Sequence, residues 1–128
     1  MPKTYYACNA ALNSFFRNIA YTPPVQTYVA LYTVSPTVSG GGTEVVGNGY
    51  GRQPVTLTSP VNGSCSNTAD IVFPVAVTAD WGTIVSFGIC DASSGGNILY
   101  YANLSTPRYV AVNDQVKFPS AQMVAFES

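Results

Sequence analysis

The run Trp81-Gly82-Thr83-Ile84-Val85-Ser86-Phe87-Gly88-Ile89-Cys90 decides the fold. Trp81, Thr83, Val85, Phe87 and Ile89 recur with a period of two, which places them on one face of a β-strand. The opposite face carries the small residues Gly82, Ser86 and Gly88, which let another backbone or an aromatic ring approach closely. Asp91-Ala92-Ser93-Ser94-Gly95-Gly96-Asn97 follows as a loop whose glycines are free to take positive φ. Ile98, Tyr100, Ala102 and Leu104 then resume the period as a hairpin partner.

The same period runs outward through the chain. Val25, Thr27, Val29 and Leu31 alternate with Gln26, Tyr28, Ala30 and Tyr32; large side chains on both faces predict a strand covered on both sides. Val55 and Leu57 mark another strand. Ile71, Phe73, Val75 and Val77 mark a third, with Pro74 restricting it to an edge or a bulge. Val110 and Val112, then Val116 and Phe118, flank the turn Asn113-Asp114, and Val124 and Phe126 close the series. About seven or eight short strands at these spacings predict an all-β fold, an antiparallel sandwich or jelly-roll-like barrel in which each strand buries one face.

Only the start departs from this pattern. Cys8, Ala11, Leu12, Phe15, Phe16 and Ile19 recur at helical spacing, and Thr4 suits an N-cap. Pro23-Pro24 stops the segment. The chain therefore reads as one domain, 1–128, with a helix over 5–19 and a β-sandwich over 25–128. The helix is expected to act as a lid on a sheet; the other reading is an arm that docks on a neighbouring subunit. Ser39 to Gly51 is the long loop, rich in glycine, and reads either as a binding element or as a mobile crossover.

Composition narrows the chemistry. The chain has no histidine, and charged residues make up 9% of it. Histidine is the usual acid–base group near neutral pH and the commonest metal ligand. A Ser or Cys nucleophile lacks its usual base. Asp80 and Asp91 bracket one strand and lie too far apart for a carboxylate pair; Asp70 and Asp80 end separate segments. Gly47-Asn48-Gly49-Tyr50-Gly51 leads into Arg52-Gln53-Pro54, which is not a phosphate-binding loop. Cys8, Cys65 and Cys90 lack zinc-site spacing and are expected to be buried, unreactive thiols. No catalytic, cofactor or metal site is expected, and no enzyme.

Lys3, Arg17, Arg52, Arg108 and Lys117 are scattered, against six acidic residues and a net charge of −1, so neither nucleic acid nor a membrane surface is an expected partner. The start shows no signal-peptide pattern, and no apolar run reaches the length of a membrane span. A chain with so little charge gains little protection against association, so a homo-oligomer is expected. Tyrosines are frequent, and Tyr50, Tyr100 and Tyr101 are candidate sugar platforms, since the side chain is large with a polar tip. Phe15, Phe16 and Arg17 on the helix, with Tyr50 and Arg52 in the glycine-rich loop, are the candidate contacts to protein neighbours.

Phe16-Arg17-Asn18-Ile19-Ala20-Tyr21-Thr22-Pro23 and Tyr28-Val29-Ala30-Leu31-Tyr32-Thr33 also form a familiar opening. Gly49-Tyr50-Gly51-Arg52-Gln53, Asn67-Thr68-Ala69, Phe87-Gly88-Ile89-Cys90-Asp91-Ala92 and Gly95-Gly96-Asn97-Ile98-Leu99-Tyr100-Tyr101 continue it. Together they resemble a family of small tailed-bacteriophage proteins commonly labelled tail fibre protein. Asn113-Asp114 stands where that family suggests Gly-Asp, and Cys90 where an aromatic or aliphatic residue is usual. The resemblance implies a non-enzymatic virion protein made in a bacterial cytoplasm. Modules of this kind also serve as trimeric capsid cement, so the expected role is a capsid decoration protein gripping the major capsid protein. The alternative is a tail-fibre or receptor-binding module that contacts a host surface glycan.

Overall fold

The computed structural model of the protein describes residues 2–126; Met1 and residues 127–128 of the expected domain lie outside them. One helix, α1 (Tyr5–Phe16), precedes nine strands: β1 (Thr27–Val34), β2 (Thr43–Glu44), β3 (Gln53–Val55), β4 (Ser64–Ser66), β5 (Ile71–Val72), β6 (Gly82–Cys90), β7 (Ile98–Val110), β8 (Lys117–Phe118) and β9 (Val124–Phe126). The main sheet runs β2-β1-β6-β7, with β3 also paired to β1, and every pairing is antiparallel. The second layer is two separate ribbons, β4-β9 and β5-β8, in place of one facing sheet. The fold is thus all-β with a single N-terminal helix, as the periodicities predict.

The core gathers on one face of the main sheet. Val29 and Leu31 from β1, Ile84, Phe87 and Ile89 from β6 and Val110 from β7 meet Ile71, Phe73, Val116 and Met123 from the ribbon side. Burying each such side chain contributes about 1.5–3 kcal/mol. Phe118 packs at an angle on both Phe73 and Phe87. The other sheet face has its own small cluster, Ala30, Tyr32 and Cys90 with Ile98 against it. β1 is therefore covered on both sides, as its large alternating residues require. Gly88 explains the fit: a Cβ there would lie 3.1 Å from the ring of Tyr32.

Two expectations need correction. In β6 the core face is not Thr83 and Val85 but Ile84; Thr83 is exposed. The ladder skips between Ile84↔Arg108 and Ser86↔Asn103, because β7 has extra residues there, Pro107 among them. This irregularity shifts the phase by one, so that Ile84, Phe87 and Ile89 share a face. The strand expected over residues 71–77 stops at Val72: Val75 and Val77 are exposed, and Phe73 and Ala76 enter the core from irregular chain. Pro74 has no donor for a ladder there. The turn expected at Asn113-Asp114 is present, the Asp114 N–H donating to the Ala111 carbonyl, and it carries the chain from the sheet to a ribbon, where β8 pairs with β5. Pro107 sits within β7 without ending it, because β7 is the edge of the main sheet.

The helix begins where expected and ends early. Thr4 caps it, its hydroxyl accepting from the Ala7 N–H. Asn18 takes a left-handed φ of 54°, and the Ile19 N–H turns back to the Asn13 carbonyl. That reversal closes the helix at Phe16, well before Pro23.

Candidate functional site

A pocket of about 380 Å³ opens over the second face of the main sheet. Its floor comes from register: Tyr32 on β1 lies directly opposite Glu44 on β2. Ile98 enters from the start of β7, and Arg52 reaches in from the chain before β3. The walls are two glycine loops, 39–42 and 95–97, with Thr4 and Tyr6 at the head of α1. The N-terminal segment is stitched to the edge of β7. The Thr4 N–H donates to the Leu99 carbonyl (3.0 Å), the Thr4 hydroxyl to the Ile98 carbonyl (2.5 Å), and the Tyr101 N–H to the Pro2 carbonyl (3.1 Å). The Tyr5 N–H donates to the Val38 carbonyl (2.7 Å), tying the first turn of the helix to the glycine loop.

Glu44 and Arg52 form the polar centre. Arg52 Nε donates to Glu44 Oε2 and Nη2 to Oε1, each at 2.8 Å, a two-pronged pair. Arg52 Nη1 donates to the carbonyls of Ala92 and Gly95 (2.8 and 2.9 Å), which holds the β6–β7 loop in place. The Arg52 side chain is only 8% exposed, and that of Glu44 24%. Burial pushes the Glu44 carboxyl up, but hydrogen bonds from Arg52 and Tyr50 and the guanidinium charge outweigh it and hold it below its ordinary value. Burial raises the hydroxyl of Tyr32 well above the usual tyrosine range, and Cys90 beside it adds to this. Burial likewise raises the Cys90 thiol.

Tyr50 is not a surface platform. Its ring stacks on Phe73 (centroids 6.1 Å) and meets Trp81 edge-on (5.5 Å). Its hydroxyl donates to Glu44 Oε2 (2.5 Å) and accepts the Leu31 N–H (3.1 Å). Trp81 Nε1–H in turn donates to the Asn48 carbonyl (2.9 Å). The part of the long loop from Val45 to Tyr50 is therefore fastened to the core, which removes the mobile-crossover reading for that part.

The other candidates separate. Tyr100 lies opposite Ile89 and packs against the main core, while Tyr101 lies opposite Gly88, so neighbours on one strand face opposite ways and form no joint platform. Phe15 and Phe16 are 76% and 78% exposed and meet edge-on at 6.4 Å, beside the exposed Arg17 at the helix end. No residue of α1 is fully buried, but the helix rests on β7, with Leu12, Phe15 and Phe16 left uncovered on its outer side. Cys8 and Cys65 are only partly buried, unlike Cys90, and all three thiols are free. Asp70 binds the Ser120 N–H and Lys117, whereas Asp80 binds Tyr109 and the Val112 N–H, so each is engaged locally. Among the described residues no group of His, Cys, Asp and Glu could hold a metal ion, and no helix is long and apolar enough to cross a membrane.

Only Arg52 of the candidate residues reaches the pocket. Glu44, Tyr32 and Tyr6 were missed. A signal for Glu44 exists: it and Arg52 are opposite charges flanking the glycine loop in a chain with few charges.

No curated protein matches the chain. A family model described as Podophage GP4 fiber I protein gp80 matches residues 2–125, nearly the whole length, and the chain belongs to that family of phage fibre proteins, virion structural components.

Proposed function

We propose that the protein is a non-catalytic tail-fibre subunit that joins other copies of itself through its N-terminal helix and contacts a host surface glycan. The observation that supports assembly is α1, twelve residues without a buried or charged side chain, ending in two exposed phenylalanines. A neutral apolar face raises no electrostatic barrier between copies. A homotrimer is the assembly proposed. The absence of histidine and the local engagement of Asp70 and Asp80 support a role without turnover.

The fibre description of the family favours the tail over capsid decoration. Gold-labelled antibody against the protein on intact particles separates the two: label on the tail supports this reading, and label on the head restores the major capsid protein as the partner. Purified protein added to host cells should also slow adsorption of the phage. Normal adsorption at saturating protein would remove the host-contact part of the reading.

A further inference from the structure

The pocket between the glycine loops has a selective chemistry. Glu44 Oε2 accepts from both Tyr50 and Arg52, whereas among the described residues Oε1 accepts only from Arg52 Nη2. A carboxylate oxygen has two acceptor sites, so Oε1 keeps capacity for a further donor. Among the described residues Arg52 is the only cation lining the pocket, and four hydrogen bonds to Glu44 and to loop carbonyls already occupy it. Its charge is cancelled by Glu44, so an anionic ligand finds no free counter-charge. A metal ion finds no cluster of ligands either, among the described residues. Tyr6 adds aromatic surface, the buried Tyr32 closes the floor, and Gly41, Gly42, Gly95 and Gly96 bring exposed backbone without side chains to the walls. The volume, about 380 Å³, lies within the range of about 300–1,000 Å³ for small-molecule sites.

We propose that this pocket binds a neutral saccharide unit, with Glu44 Oε1 accepting from its hydroxyls and the Tyr6 ring lying against its C–H face. This rests on the glycan-contact reading above and adds the site and the charge class of the ligand. Hydroxyl donors match the spare acceptor, and the loop amides supply donors in return. Acidic or phosphorylated sugars would meet the carboxylate instead of a cation and are rejected.

Saturation-transfer NMR on the purified protein tests this, with galactose and N-acetylglucosamine as neutral probes. N-acetylneuraminic acid and glucose 6-phosphate serve as anionic probes. Tyr6 is 42% exposed and its side chain meets Tyr21; Tyr6→Ala, with its fold checked by thermal unfolding, should weaken binding roughly tenfold. Tyr109→Ala, outside the pocket, should leave binding unchanged. Saturation of a neutral sugar that Tyr6→Ala removes supports the proposal. Binding insensitive to Tyr6→Ala overturns the pocket while leaving glycan contact standing, and preference for the anionic probes overturns the charge argument. Absence of binding to all four probes overturns the site; the adsorption assay then decides separately whether the host-contact reading also falls.

Discussion

Tyr50 joins three parts of the molecule through one side chain. It satisfies the Leu31 N–H of the central sheet and donates to Glu44, while its ring stacks on Phe73 and meets Trp81 edge-on. Tyr50→Phe keeps the ring and leaves that amide without its acceptor, which should destabilise by about 1–3 kcal/mol in urea unfolding. Glu44 gives the neighbouring pH dependence. Its folded carboxyl lies below the ordinary value of 4.5, so its contribution is complete above that value and is lost as pH falls through the lower, folded one. Melting temperature should therefore drop on acidification below about pH 4.5. Asp70 and Asp80 are depressed too, so the share of Glu44 is the difference between wild type and Glu44→Gln. That variant should lose about 2 kcal/mol near neutrality, because Arg52 remains largely buried with its charge unmatched, and should show a flatter acid limb. Equal slopes for the two proteins would refute the assignment. Ser86 is the opposite case: its hydroxyl is buried and finds no hydrogen-bond partner among the described residues. Ser86→Ala should raise stability by up to about 1 kcal/mol.

At the scale of the element, β1 and β6 show what periodicity reveals and where it fails. The small face of β6 was legible because only small residues leave room for a ring, and the Tyr32 ring does lie over Gly88. Gly88→Ala would press a methyl into that ring at 3.1 Å and against Ile98 at 3.4 Å, and should cost about 1–3 kcal/mol by thermal unfolding. The helix start and the Asp91–Asn97 hairpin were legible for similar local reasons: a Thr hydroxyl suits a cap, and Asp91 accepts the Asn97 N–H across the loop. The phase shift in β6 was not, because it originates in β7, where extra residues bulge the partner strand. The pocket was illegible for the same reason on a larger scale. Tyr6, Tyr32, Glu44, Arg52 and Ile98 lie far apart in the chain and meet only through strand register and the stitching of residues 2–4 to β7. Tyr50 misled because a tyrosine among glycines looks exposed, whereas here small neighbours let it sink into the core.

For the whole molecule, the unresolved balance of apolar surface lies at the helix. Tyr5, Leu12, Phe15 and Phe16 are all substantially exposed. Aromatic side chains carry about 150–250 Å² each, so this face offers on the order of 500 Å². A standard interface takes about 800 Å² from each partner, so the helix supplies most of one half. Because Phe15 and Phe16 touch little within their own chain, replacing both with serine should change monomer stability by no more than about 0.5 kcal/mol. The same change should abolish association if these rings are the anchors of the contact. Sedimentation equilibrium of wild type and of the double variant Phe15→Ser/Phe16→Ser checks both halves at once. Wild type should sediment as an oligomer that dissociates on dilution, and the variant as a monomer with the same unfolding midpoint. A wild type that stays monomeric at high concentration would show that the face does not meet its own copies. A variant that melts much earlier would show instead that the helix supports its own sheet, as a lid would.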